Sequence, residues 1–487
     1  MLKRQFSILL FFFFYSYPVS GVSDGLENYR FLLKGKTGLN NQPLILKSTE
    51  PFIKNEIIIN FDNKNYKINN NVNEMGMAIY IALNRGQYQD VHRLLPYYQK
   101  LPEYDYLLVK FAEAQFARID KNYIKAISDY QQILTLKPDF LRVELELART
   151  YYEDKQNKEA LLLFKIILDK YAQQLPANVS IVIGQFTTEL NKKNRWSGSF
   201  STGYGYNSNI NQVPNNDRKT CYQNLQQHLC YGGSQADKGS KFIYDGDINR
   251  SFAFYQHQSV QFKAYSFGSH YERNADYNEN TTNIRLYYQY HDANKSLSIG
   301  PITELKFVGG KRRYYGVGTG IDAEYRFSPQ FSLTAMIDSK KMIYRTPYQS
   351  NDGNKSNLYL TGIYALTPEA VLFGGIDSSL VNKKYESDSY RQYGARVGVF
   401  KKFNQDVNFL GLISYKNTRF NDAQYEFNHK VRNDDEQLYL TKLSIPKYSF
   451  MTLIPSISYK YRINNSSIDT LYSYKQSEVE FKLEKRF

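Results

Sequence analysis

Cysteine, tryptophan and histidine are scarce in this 487-residue chain, which has 2 Cys, 1 Trp and 6 His. So few soft ligands leave little room for a Cys/His metal cluster, and two cysteines cannot brace a disulfide-dense scaffold. After the first residues no uncharged apolar stretch approaches the roughly 18 residues that a membrane helix needs. Familiar catalytic signatures are missing as well. There is no Gly-x-Ser-x-Gly, no His-Glu-x-x-His and no phosphate-cradling loop. Gly316-Val317-Gly318-Thr319-Gly320 is only superficially Gly-rich, because it lies in an alternating segment and reads as small lumen-facing strand residues. Spacing leaves open a Ser/His pair near His270 or His291, but no enzyme and no cofactor are expected.

Aromatics, by contrast, reach 16%, carried by 45 Tyr and 31 Phe. Rings in that number suit strands and membrane interfaces. A net charge of +15 and a pI near 9.2 admit nucleic acid, anionic lipid, or acidic protein and sugar as partners. The N-terminus narrows the choice. Lys3 and Arg4 precede an apolar run, Phe6 to Tyr15, and then Pro18-Val19-Ser20-Gly21. This is the layout of a secretory signal peptide over residues 1–21, and the run is too short to span a bilayer as a helix. No Cys follows it, so the chain is not itself expected to be a lipoprotein, and nucleic acid drops out as a partner.

Residues 22–73 form an N-terminal extension in which Glu56–Ile68 reads as a short hairpin around Asp62-Asn63-Lys64-Asn65. Over 74–190 the pattern is helical and repeats. Ala126, Tyr130, Ile133 and Pro138 recur 34 positions on as Ala160, Phe164, Ile167 and Ala172, which is a tetratricopeptide period. Ala126 and Ala160 are expected to let paired helices approach, with Tyr130, Ile133, Phe164 and Ile167 filling the gap to the next repeat. A weaker copy runs through Gly86, Tyr88, Val91, Leu95 and Tyr98. An ordinary helical bundle with chance spacing is the alternative. Three stacked units would bind peptides or chains in a groove.

From 191 to 487 the period becomes two. Trp196, Gly198, Phe200, Thr202, Tyr204 and Tyr206 alternate with Ser197, Ser199, Ser201, Gly203 and Gly205. In the last segment Val479, Phe481, Leu483 and Phe487 oppose Glu478, Glu480, Lys482, Glu484 and Arg486. One apolar face and one charged face, repeated to a terminal aromatic, predict an antiparallel transmembrane β-barrel. Short connections near His257, Asp292–Lys295, Ser328–Gln330, Thr367–Glu369, Asn404-Gln405 and Lys447-Tyr448 alternate with seven longer polar ones. That pattern gives about 14 strands, with the short turns on the periplasmic side. Val479, Phe481, Leu483 and Phe487 are expected to act as the signal read by the barrel-assembly machinery.

Three constellations fall in the longer connections. Cys221 and Cys230 are expected to pair as a disulfide on an exposed loop, with two free thiols as the alternative and a two-Cys metal site with His228 as the weakest reading. Asp434-Asp435-Glu436 reads as a solvated acidic loop with calcium or cargo as other options. Lys311-Arg312-Arg313 could meet lipopolysaccharide phosphates at a barrel rim or simply be solvated.

The entry to the alternating region, Trp196-Ser-Gly-Ser-Phe-Ser-Thr-Gly-Tyr-Gly-Tyr-Asn-Ser-Asn-Ile-Asn211, resembles the first barrel strand and loop of the Slam family, the surface lipoprotein assembly modulators. Tyr393-Gly394-Ala395-Arg396-Val397-Gly398 and terminal Phe487 are compatible with it but less specific. The resemblance covers about Glu74 to Phe487. It implies a Gram-negative outer-membrane protein with a periplasmic helical domain, and the chain is expected to be a monomer. The implied role is to move protein cargo, either surface lipoproteins or secreted haem- or iron-binding proteins, across that membrane. It does not assign cargo-binding residues. An exopolysaccharide exporter with periplasmic repeats and a passive porin are the rival readings. The 36 basic against 27 acidic residues over 196–487 weigh against a pore for a cationic polymer, and the repeat domain weighs against a porin.

Overall fold

The computed structural model describes residues 58–61, 64–214, 219–224, 227–233, 235–403, 406–424 and 430–487. The signal peptide expected over 1–21 lies outside them. A small ribbon comes first, β1 (Ile58–Phe61) paired antiparallel with β2 (Lys64–Lys67). Seven helices follow: α1 (Val72–Arg85), α2 (Tyr88–Tyr98), α3 (Tyr106–Ile119), α4 (Tyr123–Leu136), α5 (Leu141–Glu153), α6 (Asn157–Lys170) and α7 (Ala177–Lys193).

Three of the helices, α1, α3 and α4, start where a short polar side chain takes up free backbone N–H groups. Asn71 accepts from the Glu74 N–H at 2.8 Å, Asp105 from Leu107 and Leu108, and Asn122 from Lys125. They pair as α1/α2, α3/α4 and α5/α6, with α7 closing the stack. The small-then-aromatic spacing explains the packing. Ala126 and Ala160 are wholly buried, so neighbouring helices come close, and Tyr130, Ile133, Phe164 and Ile167 fill the spaces between. Phe164 stacks on Phe186 of α7 with centroids 5.2 Å apart. A buried guanidinium ties one repeat to the next, Arg118 of α3 pairing with Glu153 of α5 at 2.9 Å.

The rest of the chain is a closed, all-antiparallel barrel of 14 strands. They are β3 (Ser197–Asn207), β6 (Gly239–Tyr255), β7 (Gln258–Tyr271), β8 (Glu279–His291), β9 (Lys295–Val308), β10 (Lys311–Arg326) and β11 (Phe331–Tyr344). There follow β12 (Gly353–Thr367), β13 (Ala370–Lys383), β14 (Tyr390–Phe403), β15 (Val407–Gln424), β16 (Lys430–Ser444), β17 (Ile454–Ser466) and β18 (Tyr474–Arg486). A separate ribbon, β4 (Lys219–Asn224) with β5 (Gln227–Gly232), sits in the connection after β3. The outward face is apolar and exposed, with Tyr204, Val317, Ile376, Val397, Ile413 and Phe481 among its residues. Alternation makes the inward face polar, as a lipid-embedded barrel requires.

Two connections differ from the expectation of long loops. Gly309-Gly310 is a two-residue turn, with φ of 58° and 72°, so β9 turns tightly into β10. Two successive left-handed residues make the turn whose twist matches the flanking strands. Lys311, Arg312 and Arg313 accordingly begin β10 and do not occupy a loop. Likewise β15 runs on to Gln424, and Asp434, Asp435 and Glu436 lie inside β16. Asp434 and Glu436 face inward, where Arg432 and Arg462 compensate their charge. Those partners, distant in sequence for Arg462, are the reason an acidic triplet can stand in a strand.

The barrel closes where β18 pairs with β3, from Glu478↔Asn207 to Arg486↔Ser199. Phe487 extends this ladder by one pair, its N–H donating to the Gly198 carbonyl at 3.1 Å and its carbonyl accepting from Gly198 N–H at 3.0 Å. Deleting Phe487 removes both bonds at the closing edge together with the terminal ring. The amount of folded, heat-modifiable barrel in outer-membrane fractions should fall. Full folding without Phe487 would contradict both a part for it in closure and the expectation that it belongs to an assembly signal.

Candidate functional site: a charged lumen with a helical entrance

The inner wall is organised around β3. Its inward positions hold Ser197, Ser199, Ser201, Gly203, Gly205 and Asn207, a strip of short side chains. Longer groups of the flanking strands meet above it. Lys241 Nζ of β6 lies 3.0 Å from Glu478 Oε2 and 3.3 Å from Glu480 Oε1 of β18. Lys482 Nζ of β18 lies 2.9 Å from Asp245 Oδ1 of β6. A Cβ on Gly205 would stand 3.1 Å from Glu480 Cγ and 2.9 Å from the Val479 carbonyl oxygen, so the missing side chain opens the path. The ion pairs thus clasp the closing seam over the strand that closes it.

The network continues round the wall. Lys460 of β17 reaches Glu478 at 2.7 Å, Arg462 reaches Glu436 at 3.4 Å, and Lys442 of β16 reaches Glu484 at 3.3 Å. Across the lumen Asp322 of β10 accepts from Lys263 at 3.1 Å and lies 3.5 Å from Arg285, while Glu304 pairs with Lys340 at 2.5 Å. Gly320 is small for a local reason, since a Cβ there would fall 2.2 Å from the Tyr287 hydroxyl. Gly316 and Gly320 therefore accommodate neighbouring side chains and cradle no phosphate. Charges taken out of water are tolerated here because opposite partners and hydrogen bonds compensate them. The inner wall is thus highly polar and of mixed sign. Among the described residues no cluster of His, Cys, Asp or Glu could hold a metal ion.

The helical stack meets the barrel at the end where β3 begins and β18 stops. Helix α7 ends at Lys193 and β3 starts at Ser197. Trp196 anchors this joint, edge-on to Phe262 at 5.7 Å and Phe252 at 6.3 Å, with the Arg250 guanidinium 5.6 Å from its ring centroid. Glu478, Glu480, Lys482 and Glu484 are buried in the lumen while Val479, Phe481 and Phe487 are exposed outward. Cys221 and Cys230 face each other as backbone partners across the β4–β5 ribbon. The cross-strand clasp was not legible from the sequence. The alternation of Glu478, Glu480 and Lys482 signalled a charged face, but only the closed register brings Lys241 and Asp245 opposite them.

Removing the charge of Glu478 leaves Lys241 and Lys460 short of their shared partner. Breaking one side of a buried pair costs about 3–5 kcal/mol. Glu478→Gln should therefore lower the temperature at which the folded barrel converts to the unfolded form on semi-native gels. Val479→Ala, on the outer face of the same strand, should shift it far less. Equal shifts for the two variants would contradict the clasp.

The sequence matches the family described as "Surface lipoprotein assembly modifier" over residues 196–487. It also matches that family's "N-terminal TPR repeats" over residues 61–164. A "Hemophilin secretion modulator" of Acinetobacter baumannii is 30% identical over 456 residues, covering 91% of this chain and 90% of the relative. A "Surface lipoprotein assembly modifier" of Moraxella catarrhalis is 27% identical, covering 83% of this chain and 78% of the relative. Among solved structures, a Pseudomonas aeruginosa FadL homologue aligns at 9% identity with a TM-score of 0.38, over 60% of this chain and 90% of its own. That structural likeness is slight, and the assignment rests on the sequence matches. Helical repeats at one end of a 14-strand outer-membrane barrel, matched over both parts, place the chain in the surface lipoprotein assembly modifier family.

Proposed function

We propose that this protein is an outer-membrane translocon that delivers specific proteins, either surface lipoproteins or secreted haem-binding proteins, from the periplasm to the cell exterior. The observation that carries this reading is the union of a repeat stack with a closed barrel whose lumen is lined by paired charges. Repeat stacks offer extended surfaces that hold chains. A mixed-sign polar lumen lets extended backbone keep its hydrogen bonds, which a lipid-facing route would forbid. The names carried by the relatives supply the cargo classes. Concentrating a captured chain at the entrance raises its effective concentration there without any new contact in the pore. The periplasm offers no ATP, so the driving force is differential binding or folding of cargo outside.

The test is co-expression with the protein encoded by the neighbouring reading frame. With the translocon present, that cargo should become protease-accessible on intact cells or appear in the medium. Without it, the cargo should stay periplasmic. Deleting residues 75–190 should abolish export while leaving a folded barrel. Cargo reaching the surface equally well without the protein would overturn the reading, and export unaffected by the deletion would overturn capture by the repeats.

The same reading includes a Cys221–Cys230 disulfide bracing the ribbon in the first connection beyond β3, which faces the exterior. Opposed positions on paired strands suit such a bridge, and the compartment is oxidising. Non-reducing peptide mapping should recover the two cysteines joined, with thiol labelling of whole cells appearing only after reduction. Two readily alkylated thiols in the untreated protein would refute it.

A further inference from the structure

Besides the short link through Trp196, the helical stack touches the barrel at a site remote in sequence. The turn between α5 and α6, Asp154-Lys155-Gln156, lies against the turn between β6 and β7. His257 Nε2 is 2.9 Å from Asp154 Oδ2, and both side chains are largely buried. Lys158 Nζ donates to the Phe254 carbonyl at 2.9 Å, and the Gln256 N–H donates to Glu159 Oε1 at 2.8 Å. Gln156 braces the same carboxylate, its Nε2 donating to Asp154 Oδ2 at 2.9 Å.

The equivalent turn one repeat earlier sharpens the point. Asp120, Lys121 and Asn122 have the same geometry but stand exposed, whereas Asp154 and Gln156 are covered. Gly86, Lys121 and Lys155 occupy corresponding positions with φ of 71°, 61° and 64°, a left-handed conformation that suits glycine. Lys155 nevertheless projects a cation there. It shares the Tyr152 ring with Lys193, at 5.9 and 4.7 Å from the centroid, and has Arg326 within electrostatic reach. Burial, then Lys193 and Arg326, push the Lys155 ammonium down to about 8. Arg326 ends β10 on the inward side, so this turn overhangs the lumen and not the outer rim.

We propose that the Asp154–His257 contact is a latch holding the helical stack over the lumen entrance, which makes both side chains positioning residues for translocation. The proposal rests on the translocon reading above. With the latch closed, a chain held by the repeats is presented at the lumen. With it open, the stack swings on the residues before Trp196 and delivers cargo less often. His257 is met by Asp154 from the helical side, whose turn and following helix also carry Lys155, Lys158 and Glu159, and by Asp292 and the Tyr290 ring, 5.3 Å away, from the β8–β9 side, where the His291 N–H donates to the His257 carbonyl at 2.9 Å. Burial opposes charging of the imidazole, but the Asp154 carboxylate, backed by Asp292, outweighs it and holds His257 above its ordinary value. The ion pair is thus fully present below about pH 6.5 and is lost as pH rises through the raised value.

The experiment uses the full-length protein in detergent and in cells. Trypsin cleavage at Lys192–Arg195 reads undocking, and cargo export reads delivery. Wild-type cleavage, taken relative to that of an unstructured peptide at the same pH, should accelerate between pH 6 and pH 9. Asp154→Asn and His257→Gln should each speed cleavage at pH 6 by roughly tenfold, since a hydrogen bond between charged groups contributes about that factor or more, and should flatten the pH response. Both variants should reduce export several-fold, with heat modifiability of the barrel unchanged. Asp154→Lys combined with His257→Asp should restore docking and export. Lys121→Gly, in the undocked turn, should alter neither. Unchanged cleavage in the single variants overturns the latch. Faster cleavage with export at the wild-type level overturns its positioning role. Cargo export by wild-type cells equal to that of cells lacking the protein overturns the translocon reading instead, and the cleavage assay, which needs no cargo, still decides docking.

Discussion

Closure of the barrel at β3 and β18 is the constraint on which the rest of the molecule depends. An open edge would leave backbone N–H and C=O groups facing hydrocarbon, where each unsatisfied group costs several kcal/mol. The seam joins the ends of a segment almost three hundred residues long, so the last strand must find the first. Short inward residues on β3 solve a geometric problem there. They let Lys241 and Asp245 of β6 reach Glu478, Glu480 and Lys482 of β18 across the intervening strand. Backbone ladder and charge clasp then act on the same join from two directions. Such pairs add modest net stability against apolar replacements, but they specify register, because a one-residue slip would turn every charge into the lipid.

The same join places the helical stack. Only three residues, Asn194 to Trp196, separate α7 from β3, at the end where the final strand also stops. Trp196 fixes the entry to the outer surface through Phe252 and Phe262. The α5–α6 turn makes a second contact, with the β6–β7 turn at the lumen entrance. Two attachments at different points restrain a stack far more than a single tether, and they bring basic and acidic side chains of the repeats to the lumen entrance. The fold thereby joins a repeat stack and a polar-lined barrel in one molecule.

Much of this architecture was legible in the sequence because period carries geometry. A 34-residue spacing of Ala126, Tyr130 and Ile133 with Ala160, Phe164 and Ile167 announced stacked helix pairs, and two-residue alternation to Phe487 announced a membrane barrel. Connections were harder. Hydrophilicity alone could not separate a loop from a strand whose inward face is charged, which is why Asp434 and Glu436 looked like loop residues until Arg432 and Arg462 stood beside them. Gly309-Gly310 carried a legible turn signal that the basic run after it obscured. The Asp154–His257 contact joins two parts of the chain about a hundred residues apart, and no local pattern marks such a meeting.

The central claim is that cargo passes through the lumen of this barrel. Site-specific photocrosslinking in living cells tests it most directly. Lys442 and Leu443 are neighbours on β16, the first facing inward beside Glu484 and the second facing lipid with 37% of its surface exposed. A photoreactive residue at 442 should trap cargo arrested in transit, and the same residue at 443 should yield no cargo adduct. Cargo export that continues while neither position, or only position 443, captures cargo would contradict passage through the lumen.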